Sequence, residues 1–147
     1  MKKYVILTIA TAFGSGYFPV ASGTAGSLVA LIFAYFIMHT PVFVQLAIFI
    51  VSYALFAWAA GKAEAIFKRP DAGEIVCDEV LGMWLTLFAM PPDWKHIALG
   101  FILFRIFDIA KPFPARWIDR NMAGGHGIML DDIAAAIYAQ ICLRIIL

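Results

Sequence analysis

Polar residues in this chain gather at the ends of apolar stretches and are sparse inside them. Uncharged runs extend from Val20 to Met38, from Val42 to Gly61, from Val80 to Pro92, from Ile97 to Phe104 and from Ile133 to Cys142. The first two approach the roughly 20 residues that a helix needs to cross a bilayer. The other three are shorter and cross only by recruiting flanking polar residues. Strict two-residue alternation over many segments is not seen, which disfavours a barrel of strands. Breakers fall between the runs, at Pro41, Pro70, Pro91-Pro92, Pro112-Phe113-Pro114 and Gly124-Gly125, where turns between helices are expected. The pattern predicts an all-α fold: a compact multi-helix integral membrane bundle with short, polar-ended spans, five candidate crossings in a single domain over residues 1–147.

Composition supports that class. Hydrophobic residues make up 63% of the chain and charged ones 14%, against about 45–50% and about 25% in soluble domains. Thirteen Phe and four Trp exclude a solvated, disordered chain. A net charge of +1 gives no basic excess with which to track phosphates, so no nucleic-acid partner is expected. Cys77 and Cys142 lack the spacing of a metal or redox motif and read as small buried residues. The apolar segment from Tyr4 to Phe13 follows Lys2 and Lys3 like a signal peptide. It runs into Gly14-Ser15-Gly16 without a small-residue cleavage site, and is read as retained.

Charge placement then sets an orientation. With alternating crossings, nine of the eleven basic residues fall on one side, which the positive-inside rule makes cytoplasmic. Every acid except Asp93 falls there too. A rule built on basic residues thus gathers the acids on the same face, the arrangement expected of a site at the inner leaflet.

Four blocks carry the candidate chemistry. In the first, Gly23, Thr24, Gly26 and Ser27 precede a long apolar helix, where exposed N–H groups favour an anion such as phosphate; a flexible turn with a helix cap is the plainer reading. In the second, Asp78 and Glu79 stand ahead of an apolar run, with Asp71 seven residues earlier, about two turns if the helix starts that soon. Adjacent carboxylates repel unless they share a proton or cation, and hard oxygens of this kind suit magnesium; a solvated acidic helix start is the alternative. In the third, Arg105 and Asp108 share a helix face and Lys111 ends that helix before Pro112. Such groups are costly at the end of an apolar span unless paired or functional. Next, Trp117 and its charged neighbours read as an interfacial helix. In the fourth, Gly124 to Gly127 allow a backbone nest, and Asp131 and Asp132 open the last apolar helix. These two aspartates project about 100° apart, so the choice between them stays open. His126 between the glycines reads as an exposed, idle loop residue.

In this order and spacing the four blocks resemble the signature blocks of the phosphatidylglycerophosphatase A family, over essentially the whole chain. The resemblance implies magnesium-dependent hydrolysis of the terminal phosphate of phosphatidylglycerophosphate, giving phosphatidylglycerol and inorganic phosphate at the bacterial inner membrane. It implies metal ligands among Asp78, Glu79, Asp108, Asp131 and Asp132, with Asp71 as a ligand or beside one. Arg105, Lys111 and the segment from Gly23 to Ser27 would hold the phosphate. Ser22 stands where the family usually has proline, which bears on loop rigidity and not on any reacting group.

Rival readings fit less well. Lys62 and Arg69-Pro70 match the opening of the histidine-dependent lipid phosphate phosphatases, but the Ser-Gly-His loop and later Ser-Arg are absent. The Asp-Gly-x-x-Ala-Arg core of the CDP-alcohol phosphatidyltransferases is missing as well. A small membrane carrier would place acids at mid-span, whereas all but one of these lie at cytoplasmic ends.

Overall fold

In the computed structural model, which describes residues 2–147, the described residues form seven α-helices and one 3-10 turn, with no strand. The helices are α1 (Lys2–Ala10), α2 (Ser22–Met38), α3 (Val42–Phe67), α4 (Cys77–Thr86), α5 (Trp94–Ala110), α6 (Ala115–Asn121) and α7 (Gly124–Ile146). Their ends follow the breakers. α2 stops two residues before Pro41, whose ring disfavours a helical residue ahead of it, and α3 starts directly after that proline. α5 begins at an N-cap, Asp93, whose side chain accepts from the backbone N–H groups of Lys95 and His96 at 3.0 and 3.1 Å. It ends at Lys111, which takes a left-handed conformation before Pro112.

Length separates the helices. α3 has 26 residues, about 39 Å at 1.5 Å each, and among the described residues it is the one helix long and apolar enough to cross a membrane. The expected runs from Ile97 to Phe104 and from Ile133 to Cys142 are the middles of the longer helices α5 and α7. The run from Val80 to Pro92 is not one continuous crossing: α4 holds ten residues, about 15 Å, and a turn follows. That turn is held by side chains from apolar helices. Gln45 of α3 accepts from the Ala89 N–H at 2.9 Å. Gln140 of α7 donates to the carbonyls of Leu85 and Phe88 at 3.1 and 3.0 Å.

α4 lies at the centre, packed against α2, α3, α5 and α7. One apolar cluster, around Met83, Leu87, Phe104 and Leu143, joins it to α2, α5 and α7. A second, around Leu81, Met129 and the alanines of α3, joins it to α1, α3 and α7. Small residues bring the backbones close. A Cβ on Gly125 would stand 1.8 Å from the Ala57 carbonyl oxygen, so α3 and α7 meet backbone to backbone there. The expected backbone nest at Gly124 to Gly127 is therefore the first turn of α7, with Gly125 and Gly127 buried in packing. Outward, α2 and α3 present large apolar side chains, with Phe36 67% and Phe43 74% exposed.

Candidate active site

The first turn of α4 carries Asp78 and Glu79, and two turns into α7 comes Asp132. Because α4 and α7 pack directly, these three meet: one carboxylate oxygen from each lies within 4.8 Å of the others. Asp78 and Asp132 are buried. Asp78 Oδ1, Glu79 Oε2 and Asp132 Oδ2 are buried without a hydrogen-bond partner. Three carboxylates at this separation repel unless a cation or proton lies between them. Hard, unpartnered oxygens fit a divalent metal ion.

Beside them stands Arg105 of α5. Its guanidinium is bonded to Asp108 one turn on and lies 3.9 Å from Glu79 Oε1. Arg105 Nε is buried and unpartnered, a donor that no protein acceptor satisfies. Asp108 is buried too. Opposite, the first turn of α2 brings in Gly23, where a Cβ would lie 2.1 Å from Glu79 Oε1 and 3.1 Å from Arg105 Nη1. Glycine at this position keeps the space between carboxylates and guanidinium open.

A second polar group lies on the other side of Asp132. Lys111 Nζ donates to Asp119 at 2.7 Å and Asp131 at 2.6 Å. Burial works against its charge, yet these two bonds outweigh it and hold the ammonium pKa above the ordinary lysine value. Asp131 and Asp119 line a cavity of about 190 Å³ together with Glu64, Asp71 and Asn121. The Asp71 N–H donates to Glu64 Oε1 at 2.8 Å.

The expected site residues therefore divide. Asp78, Glu79, Asp132, Asp108, Arg105 and Gly23 come together; Asp71, Asp131 and Lys111 form the neighbouring cavity group. Asp71 would lie two turns ahead only if the helix began that early; α4 starts at Cys77, and Asp71 sits in a turn at φ 41°. Gly26 packs against Val76, which a Cβ would approach to 2.7 Å. Ser27 is fully buried and donates to the Gly23 carbonyl at 2.8 Å, a bond within its own helix. Neither is brought to the carboxylates, and Thr24 on the same turn is partly buried. His126, expected to be idle, is exposed but bonds to the Tyr53 hydroxyl at 2.8 Å. Sequence reasoning passed over Glu64 and Asp119. The one signal for Asp119 was its position eight residues beyond Lys111, across a proline turn.

The profile of the family described as Phosphatidylglycerophosphatase A matches residues 8–147. The chain belongs to this family. It is 42% identical over 130 residues to the Phosphatidylglycerophosphatase A of Escherichia coli K12, covering 88% of this chain and 76% of that protein. With the protein of the same name from Haemophilus influenzae it is 40% identical over 147 residues, covering 96% and 90%. A Bacteroides thetaiotaomicron protein provisionally named a phosphatidylinositol-3-phosphatase is 37% identical over 155 residues, covering 99% and 96%. No solved structure matches the chain. The family resemblance read from the four blocks thus holds, and the names of the three relatives set two lipid phosphomonoesters side by side.

Proposed function

We propose that this protein is a magnesium-dependent phosphatidylglycerophosphatase of phospholipid biosynthesis, which removes the terminal phosphate of phosphatidylglycerophosphate to leave phosphatidylglycerol. The observation that carries this is the unpartnered cluster of Asp78, Glu79 and Asp132 beside the free Arg105 Nε, in a chain belonging to this family over nearly its whole length. Those three carboxylates would hold magnesium, whose chemistry when bound is Lewis-acid polarisation of the phosphoryl group and a lowered pKa for attacking water. Arg105 donates to phosphoryl oxygens as their charge redistributes, and positioning plus electrostatics supplies most phosphoryl-transfer catalysis. Asp108 aims Arg105. Lys111, expected on the phosphate, acts instead through Asp131, since two of its donors are already engaged.

The setting is the bacterial inner membrane. Apolar side chains exposed along α2 and α3 form the kind of surface that lipid covers. The positive-inside rule puts a multi-pass chain with its carboxylate cluster on the cytoplasmic side, where the helix ends carry the charges.

The test is direct. Purified protein in detergent is expected to release inorganic phosphate from phosphatidylglycerophosphate with magnesium and to stop on chelation. Equal or faster release from phosphatidylinositol-3-phosphate would move the substrate assignment toward that of the Bacteroides relative. Full activity in chelator would remove the metal.

A further inference from the structure

The polar wall of the cavity beside the carboxylate cluster carries four carboxylates, one amide and the Arg120 guanidinium. Glu64, Asp71, Asp119 and Asp131 all line it, and Lys111 is already bonded to two of them. Asp131 is only 5% exposed, and its Oδ1 has no partner while its Oδ2 holds Lys111. A buried acceptor left unsatisfied costs free energy until a donor reaches it. The four carboxylates disfavour a phosphate within this cavity itself, so the group sought at Asp131 Oδ1 is an uncharged donor whose phosphates lie outside the cavity.

Its surroundings narrow the choice. On one side Asp131 is followed in the chain by Asp132 of the metal-fitting cluster. On the other side, a cavity of about 440 Å³ whose free basic lining is Arg116 and Arg120, edged by Trp117, shares Arg120 and Asn121 with the acidic one. The order is thus a carboxylate cluster that fits a cation, a cavity with an unsatisfied Asp131 oxygen, and a basic, aromatic-edged cavity suited to a second phosphate. A phosphatidylglycerophosphate headgroup has the same order: monoester, free secondary hydroxyl, diester.

Resting on the phosphatase reading above, we infer that the cavity between α6 and α7 is a subsite for the headgroup hydroxyl of the substrate, with Asp131 Oδ1 as acceptor and Asp119 and Asp71 as its charged surroundings. Lys111 is then a positioning residue that turns the other Asp131 oxygen away.

The experiment compares two substrates on the full chain in mixed micelles: phosphatidylglycerophosphate and its analogue with a propanediol in place of the headgroup glycerol, which lacks only the hydroxyl. A hydrogen bond to a charged acceptor predicts that the wild type favours the glycerol lipid in kcat/KM by about ten- to hundredfold. In Asp119→Asn, and separately in Asp71→Asn at its exposed turn, that preference is expected to shrink severalfold, mainly through KM. Equal kcat/KM for the two lipids in the wild type would overturn the subsite and leave the phosphatase standing. An undiminished preference in both variants would overturn its placement in this cavity. Magnesium titration adds a further arm: a stoichiometry that drops from two to one in Asp119→Asn would assign the cavity to a second cation instead. No release of phosphate from phosphatidylglycerophosphate by the wild type would sink the phosphatase reading, and this one with it.

Discussion

Asp131 and Asp132 are consecutive, both are buried, and they do different things. Asp132 joins two other carboxylates with no basic side chain bonded to it. Asp131 is tied to an ammonium at 2.6 Å. A helix turns successive side chains about 100° apart, so one residue step decides whether an acid joins the three-carboxylate cluster or faces a lysine. Lys111 neutralises the Asp131 carboxylate, whereas Asp78, Glu79 and Asp132 repel one another unless a proton or a cation lies between them.

The sharpest way to break this contrast is to exchange the two. Asp132→Asn is expected to abolish turnover and weaken divalent cation binding, read by phosphate release and by calorimetric titration in detergent. Asp131→Asn is expected to keep cation binding and to lose activity chiefly through KM. Matching losses in both would erase the distinction. Next in size is Arg105→Lys, which keeps the charge but loses the planar fork. A fall in kcat of roughly two to three orders of magnitude with a smaller change in KM is expected. A wild-type kcat would make Arg105 only the partner of Asp108.

Lys111→Met addresses the neutralised side. It strands Asp131 and Asp119, and because Lys111 is 26% exposed the cost falls below that of a fully buried pair, roughly 2 kcal/mol. Thermal unfolding in detergent measures it, and an unchanged midpoint would show that the pair holds nothing in place. The smallest effect belongs to a carboxylate far from both groups. The Asp93 pKa is lowered chiefly by the His96 backbone N–H, so its stabilising effect is present above its unfolded value of 3.8 and is lost as pH falls through the lower folded value. Asp93→Ala is expected to be slightly less stable than wild type at neutral pH, with the difference closing in acid.

The helical class was legible in the spacing of apolar runs and breakers, and Asp78, Glu79 and Asp132 were legible because helix starts after turns were the natural places for them. The split between Asp131 and Asp132 was not, since it depends on the rotation of α7 against α4. The position of Asp71 stayed open because nothing local marks Cys77, and no earlier residue, as the start of α4. The glycines of α7 looked like a loop because chain composition alone does not separate a nest from a helix packed against another backbone. Gln45 and Gln140 went unread. Their signal was present, as lone amides inside apolar helices, but their partners are carbonyls and an N–H of a turn more than 40 residues away in sequence.

That turn sets an order of events during synthesis. A ten-residue helix is too short to be released into a bilayer on its own, and the carbonyls in its last turn and just beyond it find their donors on Gln140 and Arg144, more than 50 residues later in the chain. Until α7 arrives, α4 has neither its main packing neighbour nor a cover for its end. The central helix is completed only when α7 packs on it, and a nascent chain halted before residue 140 would carry Asp78 and Glu79 without the structure that gathers them.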